Sequence, residues 1–207
     1  MYHDRASGSL LIIVALNASS LFAQEPAHSK DWIEKSNRYA NLLLDVAKKY
    51  NPEDASSEGL AEYDTKISVP TLAEEKAERK EREAVLATLK NAAKSETDKN
   101  VAQDLAILIK STEHDFHEED YAREHLVPFL NPTNFVYFGI ETLLGPQTPD
   151  ARRPAAVTRL KEYAGQAEGY RRITQILQER ELAQMAKPNM VYPSRERLRR
   201  SWAATPP

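Results

Sequence analysis

Thr97-Asp-Lys-Asn-Val101-Ala-Gln-Asp-Leu105-Ala-Ile-Leu108-Ile-Lys-Ser-Thr112-Glu-His114-Asp-Phe116-His117-Glu118-Glu119-Asp120-Tyr121-Ala-Arg123-Glu-His125 is the stretch on which the fold turns. At 3.6 residues per turn, Val101, Leu105, Leu108, Thr112 and Phe116 gather on one side of a helix, roughly 120–200° from His114. The spacing predicts one long helix over 97–125 with a continuous core face, ended by the restriction that Pro128 places on the residue before it. His114, His117, Glu118, Tyr121 and His125 share a separate arc of about 100° on the opposite side.

Outward from this helix the same period recurs. Asp31-Trp-Ile-Glu34 has the form of a capping box, and Trp32, Tyr39, Leu43, Val46 and Tyr50 follow as one stripe until Asn51-Pro52. Residues 53–70 read as a connection holding Gly59, Leu60, Tyr63 and Pro70. A second box, Thr71-Leu-Ala-Glu74, opens a mostly charged helix over 72–93, with Leu86 and Leu89 among its few large apolar residues. It reads as a surface helix whose charge run is a solvated face.

Asn131-Pro-Thr133 caps a short helix bearing Phe135, Tyr137, Phe138, Ile140, Leu143 and Leu144, apolar on most sides and therefore expected in the core. Gly145-Pro146 stops it, and further helices are expected over 151–164 and 170–186, with a last short one from Ser194 to Ala203. With only 6 Gly and no long alternating β-branched run, the chain reads as all-α, an irregular multi-helical array of about six helices without a sheet.

At 207 residues and 41% apolar content, one domain is expected over 24–207. The apolar run Leu10 to Leu16, preceded by Asp4-Arg5 and followed by Phe22-Ala23, has the form of a secretory signal cleaved between Ala23 and Gln24. Export to the periplasm or outside the cell follows, with no membrane association after cleavage. The chain has no Cys, which excludes disulfides, Cys-type zinc sites, a Cys nucleophile and a Cys-borne lipid. Residues 151–207 carry 12 Lys+Arg against 5 Asp+Glu, so a net −3 chain has a basic end. Nucleic acid is not expected without aromatic interleaving; the basic end is expected to dock on the acidic remainder or on a partner, and 187–207 to be open to proteases.

His117-Glu118 with Tyr121 falls one ligand short of H-E-x-x-H, whose second His would stand at 121. A catalytic zinc needs three protein ligands and a dry cavity, whereas this face lies opposite the core face of its own helix. The cluster therefore reads as a solvated face, with a divalent-metal-binding protein using His114, His117, Glu118 and His125 as the rival reading. No catalytic, cofactor-binding or metal residue is assigned. Glu119 and Arg123 continue the apolar stripe with charge, four residues apart in the orientation that favours an ion pair. Either the helix outruns its core there or the pair lines a polar groove. G-x-S-x-G, P-loop and dinucleotide fingerprints are absent from the sequence.

Ser36-Asn-Arg-Tyr39, Pro52 followed by Gly59-Leu60 and Tyr63-Asp64, the aromatic helix after Asn131-Pro132, and above all Ala156-Val-Thr-Arg159-Leu-Lys-Glu-Tyr163-Ala-Gly165 with Gly169-Tyr170, Ile173-Thr174 and Arg180-Glu181 form a connected pattern. It resembles the bacterial family called domain of unknown function 885, whose members are helical, commonly exported, and similar to gluzincin-type metallopeptidases. The resemblance spans about residues 30–200 and corresponds to the N-terminal part of those longer chains; their His/Glu zinc motif lies in the C-terminal half and is not carried onto His117 and Glu118. It implies a helical module without activity of its own that binds a peptide or a partner chain, or one part of a split or truncated zinc-dependent hydrolase. Zinc would then enter only with a separately encoded catalytic segment.

Overall fold

The computed structural model describes residues 30–193, and every named element among them is helical. The α-helices are α1 (Asp31–Tyr50), α2 (Pro52–Ser57), α3 (Leu72–Ala93), α4 (Lys99–His125), α5 (Pro132–Leu144), α6 (Pro154–Tyr163) and α7 (Ile173–Met185). Two 3-10 turns, Ala61–Tyr63 and Asp150–Arg152, complete them. The all-α expectation holds among the described residues. The bond expected to be cleaved, between Ala23 and Gln24, and the short helix expected from Ser194 to Ala203 lie outside them.

Caps set the boundaries. Thr71 accepts the Glu74 amide on its side-chain oxygen at 3.1 Å, as a capping residue should, but its own N–H goes to Val69 O rather than to a reciprocal Glu74 carboxylate. Asp98 caps α4 by accepting from the amides of Asn100 and Val101. Asn131 does the same for α5 through Thr133 and Asn134.

Two apolar clusters carry the fold. In the first, Leu89 of α3 and Val101 and Leu105 of α4 are fully buried, with Trp32, Tyr39, Leu42 and Leu43 of α1 packed on them. The predicted core face of α4 is observed, with Thr112 and Phe116 also buried. In the second, Tyr163 of α6 and Ile173 and Leu177 of α7 enclose Ile67, with Phe135, Val136 and Ile140 of α5 against them.

Ile67 belongs to the stretch read as a plain connection, and that reading needs correction. Residues 52–70 contain α2 and a 3-10 turn and bury Ala55, Ser56 and Asp64 as well. Arginines hold the segment there. Arg159 of α6 has no exposed surface and donates to the carbonyls of Lys66 and Tyr63, each at 3.0 Å, and to that of Gly139 in α5. Arg152 donates to Asp64 Oδ2 at 2.7 Å and to Ser56 O at 2.7 Å. Glu53 accepts from Tyr163 Oη at 2.6 Å and from the Ser68 amide at 2.8 Å. A segment without a regular ladder must satisfy its backbone elsewhere, and these side chains do so.

α5 is not the core helix its composition suggests. Only Gly139 and Leu143 are buried, while Phe138 and Leu144 stay 61% and 53% exposed. The cause is local: Gly139 lies flush against the Tyr163 ring, where a Cβ would overlap the hydroxyl, so α6 covers one narrow stripe closely and leaves the rest open.

Candidate functional site

The last turns of α4 define the site. Beyond Phe116 the face that carried Val101 and Leu105 continues with Glu119 and Arg123, as the sequence shows. The predicted ion pair between these two is not what forms. Glu119 takes Arg79 of α3 at 3.1 Å and Arg82 as well, whereas Arg123 takes Glu75 of α3 at 3.2 Å and Asp120 at 3.0 Å. Neighbouring guanidiniums from α3 outcompete the intrahelical partner because they arrive already sheltered. Arg79 stands 3.7 Å over the Phe116 ring and Arg82 4.9 Å from it.

The charge run of α3 is therefore not simply a solvated face. The side chains of Arg79 and Arg82 are only 17% and 18% exposed and lie between α3 and α4. Arg79 grips Asp120 with two nitrogens, at 3.2 and 3.1 Å. Glu78, beside them on α3, has its carboxyl pushed above the usual range by burial, with Glu119 and Glu75 adding to the effect and Arg82 opposing it.

After His125 the chain turns extended at Leu126, and residues 126–129 form one wall of a groove. Val191 pairs with Leu126 as an isolated parallel bridge, its amide donating to His125 O at 2.7 Å and its carbonyl accepting from Val127 N at 2.9 Å. Gln184 of α7 fastens the same corner through Arg123 O at 2.6 Å and Leu126 O at 3.0 Å, and Lys187 donates to Arg123 O. Residues 184–191 of the basic end are thus tied to the end of α4.

Between these walls and the first turn of α3 lies a cavity of about 540 Å³. Its lining is mainly apolar, including Leu72, Leu126, Val127, Phe129, Val191 and Tyr192, and several of these residues are exposed. Its polar groups are Glu75, Glu119, Arg123, Arg180 and Gln184. Arg180 of α7 donates to Glu75 Oε2 at 2.7 Å, so one carboxylate bridges two guanidiniums. Glu75 and Arg180 also line a second cavity of about 400 Å³ with Tyr50, Val69 and Phe135. Glu119 and Arg123 both line this groove, but they are not paired with each other and the lining is mainly apolar, so the polar groove of the sequence reading is met only in part.

The His face is placed as the sequence predicts. His114, His117, Glu118, Tyr121 and His125 are all exposed, and Tyr121 and His125 stack with ring centroids 4.6 Å apart. Among the described residues no group of three His, Asp or Glu is placed to hold a metal ion, and no helix is long and apolar enough to cross a membrane. Arg180 and Glu75 were missed by sequence reasoning. The Arg180-Glu181 pair stood out only as part of a family-like block, and nothing local to either residue links it to a helix 105 positions away. No family model matches the chain, and neither a curated protein nor a solved structure matches it.

Proposed function

We propose that the chain is a non-catalytic helical module that holds an extended peptide segment, from a free peptide or a partner chain, in the groove between α3, α4 and α7. The observation that carries this reading is the 540 Å³ apolar cleft with extended backbone along one wall. Clefts of this size and lining desolvate apolar side chains, and an extended wall suits an extended ligand. Its charged groups are engaged with one another, Glu119 with Arg79 and Arg82, and Glu75 with Arg123 and Arg180, so none stands ready as a base or nucleophile. The likeness to the N-terminal helical part of the metallopeptidase-like family, and export on the strength of the Leu10–Leu16 run, belong to the same proposal.

The test is direct binding of fluorescein-labelled hexapeptides with apolar side chains, read by anisotropy, on the full chain and on Leu126→Asp. Saturable binding that the variant loses supports the reading. Binding that the variant leaves unchanged moves the site elsewhere.

One observation favours the second reading, part of a split or truncated zinc-dependent hydrolase. Phe138 and Leu144 on α5, and Val157 and Leu160 on α6, leave apolar surface uncovered on the helices around the buried Arg159. A separately encoded segment with an H-E motif that co-purifies with this chain and gains zinc-dependent hydrolysis from it would favour that alternative.

A further inference from the structure

Inside the groove, Glu75 shows what the two arginines accept. Its carboxylate receives Arg123 Nη2 at 3.2 Å on one oxygen and Arg180 Nη2 at 2.7 Å on the other. Arg180 uses only that nitrogen among the described residues, so Nε and Nη1 remain unengaged, with the side chain 26% exposed. Arg123 is steadied by a second carboxylate, Asp120, and by its own backbone, whose carbonyl takes Gln184 and Lys187. The other acid in the lining, Glu119, is matched by Arg79 and Arg82 outside the groove. An arriving anion therefore meets free N–H donors on Arg180, on either side of the nitrogen that Glu75 holds, and the charges that compete for the two arginines are Glu75 on both and Asp120 on Arg123.

We infer that the groove recognises the C-terminal end of a peptide, with the terminal carboxylate on Arg180 and Arg123 and the last side chain in the apolar cavity. The inference rests on the peptide-binding reading above and gives it a chemistry. The two arginines and Leu72, Leu126 and Val127 line the same cavity, so a ligand that carries a carboxylate and an apolar side chain close together suits it. A C-terminal residue carries both on one Cα, the most compact way for a peptide to present them. Glu75 then acts as a built-in stand-in: it keeps the arginines paired in the free protein and yields one of them to the ligand.

The test uses fluorescein-labelled hexapeptides ending in Leu or Phe, each as free acid and as C-terminal amide, at low salt, with the full chain. The acid is expected to bind about tenfold tighter than the amide, the advantage of a charge-assisted over a neutral hydrogen bond. Arg180→Gln should bring that ratio close to one without weakening the amide, and Glu75→Gln should widen it by removing the internal competitor. Equal binding of acid and amide, lost in Leu126→Asp, overturns carboxylate recognition and leaves the peptide groove standing. An acid preference that survives when the last residue is Ala, together with displacement by octanoate, overturns the peptide assignment in favour of an apolar acid. Absence of binding by any peptide overturns both readings. Circular dichroism of each variant separates loss of binding from loss of fold.

Discussion

Arg180 on α7 and Glu75 on α3 meet at 2.7 Å across 105 residues of sequence, closing the groove at the point where α3, α4 and α7 converge. The pair is about a quarter exposed on each side, and Glu75 is shared with Arg123. Partly solvated pairs of this kind contribute little to stability, so Arg180→Gln should cost no more than about 1 kcal/mol in urea unfolding. A larger loss would assign the pair to the fold rather than to the groove.

Arg159 stands at the opposite extreme. It is fully buried and satisfies carbonyls of Lys66, Tyr63 and Gly139. Arg159→Ala should cost about 3–5 kcal/mol, because it strands several buried acceptors at once. Hydrogen exchange is expected to accelerate first across 52–70, the segment it pins. Loss of stability with 52–70 still protected would contradict that role.

Gly139→Ala tests the α5–α6 contact. The added Cβ would overlap the Tyr163 hydroxyl, which is itself held by Glu53 at 2.6 Å. Ring and helix must move apart, at a cost of about 1–3 kcal/mol. Tyr163→Phe in the same background removes the closest clashing atom, leaving the ring carbon Cζ, and should recover part of the loss, measured by thermal unfolding.

Two buried carboxyls give opposite responses to pH. Burial pushes Glu162 above the carboxylate range, Arg159 opposing and Glu53 adding to the effect. Its folded-state value exceeds its unfolded one, so its favourable contribution is full at acid pH and is lost as pH rises through the raised value. Asp64 is held below the usual range by the Arg152 guanidinium, with Ser56 helping against burial. Its contribution is present above the ordinary aspartate range and disappears as pH falls through the lowered value. Glu162→Gln should therefore raise the Tm at pH 7, and Asp64→Asn should lower it there and flatten the acid limb of the stability curve. A Tm that is independent of both substitutions at pH 7 would contradict the assignment.

The His face should be inert. Replacing His114 and His117 by Ala, on exposed positions, should change stability by no more than about 0.5 kcal/mol and leave peptide binding intact. Calorimetric titration with zinc should show no saturable binding below about millimolar, the weak limit of a specific site. A stoichiometric site lost in His117→Ala would revive the metal-binding reading.

How far the sequence could be read depends on the range of the forces involved. Helical period placed Val101, Leu105 and Phe116 inward and His117 outward, because these positions answer to spacing within one helix. That the segment 52–70 buries Pro52, Ala55, Ser56, Asp64 and Ile67 was not legible, since it depends on Arg152 and Arg159 reaching back over almost a hundred residues. α5 misled because its composition is apolar on most sides while its single glycine dictates which stripe can be covered closely. Arg79 and Arg82 looked solvated since charge in a sequence does not show that Phe116 and the acids of α4 stand opposite. In the groove, Glu119 and Arg123 were noticeable as charge interrupting an apolar stripe, and their actual partners were not.

The most direct test of the groove is photocrosslinking with an apolar hexapeptide carrying benzoylphenylalanine next to its last residue, mapped by mass spectrometry. The account predicts adducts at Leu126, Val127, Val191 or Tyr192, suppressed by unlabelled peptide. Adducts confined to the exposed faces of α5 and α6 around Phe138 and Val157, with none in the groove, would contradict it.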